Sequence, residues 1–182
     1  MKHARLALIA ALLAGQVGVV FADETPEKKA PPVEDLDAAS GTRADKGAFG
    51  VGLILGEPTG ISAKLYLADD KAIDAAVGFA FFGGGLQAHT DYLWHPYILQ
   101  SREQFVLPVY IGPGIRAIDY RDGEAGDKFA LGVRIVGGIL FDFKQVPLDA
   151  FVEVAGVVEY KFGTDGGAGI KLNAGAGARY YF

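Results

Sequence analysis

Three side chains in this 182-residue sequence have the types that covalent acyl transfer requires: Ser62, His89 and Asp91. A hydroxyl can attack, an imidazole can take its proton, and a carboxylate can orient the imidazole. His89 and Asp91 are two residues apart, so in an extended chain they share one face. Both fall in the middle of an alternating run, on the face opposite its apolar residues. A lipid substrate has poor access to that face, so structural pairing is the favoured reading. His95 has the same parity and would complete a metal-ligating trio. Parity alone does not bring three ligands to one point, however, and no metal or other cofactor is expected. The chain has no cysteine, which excludes thiolate catalysis, cysteine-bound metal and disulfides. Gly83-Gly84-Gly85 and Gly112-Pro113-Gly114 open no helix and precede no Gly-Lys-Ser/Thr, so they are not phosphate loops.

The elements that must carry these residues are strands. From Gly47 onward the chain breaks into eight runs that alternate with period two, separated by turn residues. The runs are 48–55, 61–67, 73–81, 86–94, 105–117, 129–143, 148–162 and 169–182. The last reads GIKLNAGAGARYYF, with Ile170, Leu172, Tyr180 and Phe182 on one parity and Lys171, Asn173 and Arg179 on the other. Pro108 and Pro113 interrupt the fifth run, where a bulge or an early strand end is expected because proline cannot donate to a ladder. That leaves the parity of Arg116 open. Eight runs of about ten residues suit a small membrane barrel better than a soluble sandwich with strands of about 5–6. The expectation is an all-β, eight-stranded, antiparallel up-and-down transmembrane β-barrel.

Aromatic positions support a membrane setting. If the first strand runs outward from the periplasm, Trp94, Phe105, Phe141, Phe143, Tyr180 and Phe182 fall near the periplasmic ends of their strands. Phe79, Phe81, Phe129, Tyr160 and Phe162 fall near the outer ends. Two aromatic girdles around an aliphatic band match the two water–lipid boundaries. The polar parity then faces inward and holds Lys64, Asp74, His89, Asp91, Arg116, Arg134, Asp142, Asp149, Glu153, Glu159, Lys171 and Arg179. An eight-stranded interior has room for little beyond filling side chains, and its charges must pair to offset desolvation. With the last hairpin centred near Gly166, Glu153 faces Arg179, and a Glu153–Arg179 contact joined by Arg134 is predicted.

Composition bounds the rest. Lys2 and Arg5 precede an apolar run, Leu6 to Ala14, and Val20-Phe21-Ala22 suits cleavage after Ala22, so residues 1–22 read as an export signal. Gln16 stands where a lipoprotein would need cysteine. Residues 23–46, with Pro31-Pro32 and mixed charge, read as a disordered periplasmic linker, and 47–182 as the barrel domain. Without Lys2 and Arg5, 15 basic groups remain against 22 acidic ones, a net −7 that gives no reason to expect nucleic-acid binding.

The strings GVGLILGEPTGISAKLYL from Gly50, HTDYLWH from His89, LGVRIVGG from Leu131 and the closing GARYYF resemble small bacterial outer-membrane barrels of the OmpX and OmpA-transmembrane type. The resemblance spans nearly all of 47–182. It implies the eight-stranded fold and residence in the outer membrane of a Gram-negative bacterium, and it brings no catalytic residue. Gly177, Tyr180 and Phe182 resemble the terminal signal read by the barrel-assembly machinery, although Gly175 stands where that signal has a polar residue. The expected partners are outer-membrane lipid and that machinery, for a monomer. The expected role is structural or surface-interacting and non-enzymatic, with a charged, plugged lumen. The alternatives are a lipid-modifying outer-membrane enzyme, a narrow pore, and a soluble periplasmic ligand-binding barrel.

Overall fold

The computed structural model describes residues 46–80, 84–121, 128–163 and 166–182. The expected signal segment, the linker before Lys46, and Phe81 lie outside those residues. Eight strands follow in order: β1 (Phe49–Gly56), β2 (Thr59–Ala68), β3 (Lys71–Phe79), β4 (Leu86–Ser101), β5 (Phe105–Tyr120), β6 (Lys128–Phe143), β7 (Leu148–Lys161) and β8 (Gly167–Tyr181). Each pairs antiparallel with the next, and β8 pairs back onto β1, so the sheet closes into an up-and-down barrel. No helix occurs among the described residues.

The stagger of the ring can be followed residue by residue. Across the closing seam Ile54 pairs with Gly177. Followed the other way, its row passes Gly60, Gly78, Gln87, Ile118, Ala130 and Lys161 and reaches Gly167. The row therefore returns to β8 ten residues from where it began. With strands about 4.8 Å apart and about 3.3 Å per residue, that stagger tilts them about 40° from the barrel axis. Closure depends on close backbone approach at the seam. A side chain at Gly52 would run into the Ala178 carbonyl and the Arg179 backbone.

The wall is uneven. Strands β1 to β3 have 8 to 10 residues, whereas β4 to β8 have 14 to 16. The β1–β2 connection is Glu57-Pro58 alone, and Gly56 before it has φ 134°, a backbone shape that suits glycine. The β1–β8 ladder ends at Gly56↔Gly175, while β8 continues to Gly167 against β7.

Two sequence expectations change here. The fourth strand continues past Trp94 to Ser101, with register shifts at Trp94/Tyr97 and Ile98/Gln100. Pro96 conceals this extension, because the bulge beside it puts Pro96 and Tyr97 both on the exposed side and reverses the parity that follows. The fifth strand neither bulges nor ends early. It keeps one register with β6 from Phe105↔Phe143 to Tyr120↔Lys128. The irregularity forced by its prolines is taken up across the ladder by β4.

The alternation sorts the side chains by polarity in an inverted sense. On β7, Val152, Val154, Val158 and Tyr160 are about half exposed, while Glu153 and Glu159 are buried. The same holds around the ring, with Leu53, Ile61, Val77, Ile115, Val133 and Ile135 outside and the charged residues inside. The expected girdle residues Phe79, Trp94, Phe129, Phe141, Tyr160 and Tyr180 are exposed, and Phe105 is half-buried against Phe141. Phe162 lies beside both Phe129 and Tyr160, and Phe182 beside Tyr180.

Candidate functional site in the barrel interior

The chemistry of this chain is concentrated on the inner face of its wall. Six carboxylates (Asp74, Asp91, Asp142, Asp149, Glu153, Glu159) and four cations (Lys64, Arg116, Arg134, Arg179) are buried there. A charge so far from solvent is stable only with close opposite charges and hydrogen bonds. The interior pairs most of these charges in successive tiers, while Arg116 Nε, Arg134 Nη1 and Arg179 Nη2 are buried without a hydrogen-bond partner among the described residues.

Nearest the β5–β6 connection, the Arg116 guanidinium donates to Glu159 at 2.8 Å and to the Gln87 side-chain oxygen at 2.9 Å. The Tyr120 hydroxyl donates to Glu159 at 2.8 Å, and the Lys161 ammonium lies over the Tyr120 ring. At mid-height, Arg134 bridges two carboxylates, with Nε 3.1 Å from Asp91 and Nη2 3.1 Å from Glu153. Tyr110 donates to the other oxygen of Glu153. His89 Nε2 stands 3.7 Å from Asp91.

The next tier is built round Arg179. It donates to Asp74 at 2.5 Å, has Asp149 at 3.3 Å from Nε, and lies over the Phe151 ring. The Tyr181 hydroxyl donates to Asp149 at 2.5 Å. Beside this tier, Lys64 Nζ is 2.9 Å from His95 Nε2, and His95 Nδ1 is 3.2 Å from the Asp70 carbonyl. This geometry suits a neutral imidazole that donates through Nδ1 to the Asp70 carbonyl and accepts at Nε2 a hydrogen bond from the Lys64 ammonium. Lys46 closes the series. It pairs with Asp142, donates to the Leu148 carbonyl and lies over the Tyr181 ring.

Small residues make room for the long side chains. Gly52, Ser62 and Ala76 stand in one row on adjacent short strands, in the same row as Arg179 on β8 and His89 on β4. This row sets small side chains across from large ones, which leaves room for the cations in a narrow interior.

The predicted Glu153–Arg179 contact is not formed. Asp149, not Glu153, faces Arg179 across the last hairpin, and Glu153 faces Gly175. The ladder has slid four residues from the expected pairing. An even slide leaves every side chain on its own face, so the parity pattern carries no information about it. Arg134 does reach Glu153. Lys171 has the inward parity but lies exposed near the free end of β8, apart from the tiers. Arg116, whose parity the prolines left open, points inward.

The hydroxyl of Ser62 is buried without a hydrogen-bond partner, as is His89 Nδ1, so no nucleophile–base bond links them. His89 and His95 belong to different tiers. Among the described residues no three His, Cys, Asp or Glu side chains are grouped to hold a metal ion. Inspection of residue types alone missed Gln87, His95, Tyr110, Tyr120 and Lys46 as members of the network. Tyr110 and Tyr120 share the even parity of Arg116, and His95 the odd parity of Asp91, so the signal was there to follow. Of the terminal residues, Tyr180 and Phe182 lie outside, while Gly177 faces inward, where a side chain would strike the Leu53 carbonyl and the Phe151 ring.

No family model, curated protein or solved structure gives a significant match to this chain.

Proposed function

We propose that this chain is a small outer-membrane β-barrel of a Gram-negative bacterium, of the OmpX and OmpA-transmembrane type. It is exported by its N-terminal segment, inserted by the barrel-assembly machinery through its closing strand, and held in lipid as a monomer. Its role is structural or surface-interacting rather than catalytic. The observation that carries this reading is the inverted polarity of the wall. A water-soluble ligand-binding barrel keeps its apolar side chains inside and its charged ones outside, whereas here the charged residues are inside, with a minority of apolar ones such as Ile54, Leu93, Ile118 and Leu140, and most large aliphatic residues are outside. The paired tiers of Arg116, Arg134 and Arg179 speak against the narrow pore. The absence of a bond between Ser62 and His89 speaks against acyl transfer. Expression of the full chain in a Gram-negative host, followed by membrane fractionation, tests the proposal. The expected result is recovery with the outer membrane, release only by detergent, and a band that migrates differently before and after boiling. Recovery as a soluble periplasmic protein would refute it.

A further inference from the structure

One pair at the end of the interior series differs in chemistry from the rest. Asp74 and Asp149 meet Arg179, Asp91 and Glu153 meet Arg134, and Glu159 meets Arg116. A guanidinium stays protonated and is no nucleophile. Asp142 instead meets the ε-amino group of Lys46. An ε-amine that gives up its proton is a nucleophile toward a carboxyl carbon.

The setting suits that reaction. Both side chains are withdrawn from solvent, with Lys46 3% exposed and Asp142 fully buried. Lys46 Nζ is fixed from three directions. It contacts Oδ1 of Asp142, donates to the Leu148 carbonyl at 2.7 Å and lies 4.3 Å from the centre of the Tyr181 ring. The Asp142 carbon that would be attacked is one bond away from the oxygen it contacts. Holding the two groups in place turns a bimolecular encounter into a unimolecular step. A second carboxylate stands directly across the β6–β7 ladder, where Asp149 pairs with Asp142. Its Oδ2 accepts from the Tyr181 hydroxyl, and its Oδ1 lies 3.3 Å from Arg179 Nε.

We propose that Lys46 and Asp142 become joined by an amide bond between Nζ and Cγ, with Asp149 as proton relay. Within the buried contact the ammonium passes a proton to the Asp142 carboxylate, leaving an amine beside a carboxylic acid. Nζ attacks Cγ, and Asp149 takes the proton that the nitrogen sheds. Asp149 then returns it to a hydroxyl on the tetrahedral carbon, the C–O bond breaks, and water leaves. One amine and one carboxylic acid give one amide and one water, and no co-reactant is consumed. The bond ties the chain that enters β1 to the end of β6. Strand β1 is the shortest, with eight residues, and its seam with β8 rests on seven paired positions. With the amide in place, tension on the N-terminal segment is borne by β6 instead of peeling β1 from β8. The contacts lie within the end of the barrel, so the bond is expected whether lipid or water covers the wall.

The test takes the full chain, folded in detergent micelles, then denatures it, digests it with trypsin and weighs the peptides by mass spectrometry. The expected product is residues 44–64 joined to residues 135–144, uncut after Lys46 and lighter by one water than the two peptides together. Lys46→Arg keeps the cation and should give no joined peptide. On refolding, Asp149→Asn should form the bond at least tenfold more slowly than wild type, and Asp149→Glu should restore it. The wild-type digest decides the bond even where a variant fails to assemble. Recovery of folded wild type solely as two linear peptides, cut after Lys46, overturns the proposal. An equal yield of joined peptide from chain kept in urea throughout also overturns it, because the bond would not then depend on the fold. A wild-type rate for Asp149→Asn overturns the relay.

Discussion

Replacing Arg179 by methionine should be among the most damaging conservative-volume changes in this barrel. Its guanidinium is buried between Asp74 at 2.5 Å and Asp149 at 3.3 Å, over the face of Phe151. Methionine keeps much of the volume and a favourable contact with the ring. The loss is therefore chiefly electrostatic: two buried carboxylates lose their shared cation. Removing one partner of a buried ion pair costs about 3–5 kcal/mol. The Tyr181 hydroxyl still donates to Asp149, which leaves Asp74 the more exposed to that loss. Adding Asp74→Asn and Asp149→Asn removes the uncompensated charge, so the triple variant should recover about 1–3 kcal/mol, the size of coupling expected for residues in contact. Urea unfolding of the vesicle-inserted barrel, followed by the fluorescence of Trp94, the single tryptophan, measures both quantities. A loss below about 1 kcal/mol for Arg179→Met, the scale of a solvated surface pair, would refute the reasoning.

Three further outcomes follow. Val154→Arg places a cation on the outer face midway along β7, and should destabilise the vesicle-inserted barrel by about 2–4 kcal/mol in the same unfolding assay; a surface position on a soluble barrel would tolerate it within about 0.5 kcal/mol. Gly52→Val should prevent closure of the β1–β8 seam, because the new side chain meets the Ala178 carbonyl; the folded, unboiled gel band should disappear. In planar bilayers the wild-type chain should give no steady ion current, as expected of an interior crossed by paired arginines and carboxylates; regular channel openings at neutral pH would contradict that reading.

Much of the architecture was legible because a strand in a two-sided wall writes its faces into the sequence with period two. Glu153 and Glu159 alternating with Val152, Val154, Val158 and Tyr160 fix the two faces of β7 without any knowledge of its neighbours. The pairing between strands is written more weakly. Asp149 and Glu153 have the same parity and the same charge, so either can face Arg179 without turning an apolar residue inward. Proline misled for a related reason. A missing N–H on one strand can be accommodated by a bulge in its partner, and here the bulge beside Pro96 and Tyr97 on β4 spares β5, which carries Pro108 and Pro113. The interior partners were legible only as a set of inward residues. Which carboxylate meets which arginine depends on the ten-residue stagger of the whole ring.

The central claim is that lipid covers the outside of this wall, and Trp94 reports on it directly. It is the single tryptophan, lies on the outer face of β4, and is half exposed. Reconstitution into vesicles carrying brominated acyl chains should quench its fluorescence strongly, while an aqueous quencher such as iodide should have little effect. Strong iodide quenching with no response to brominated lipid would contradict the account.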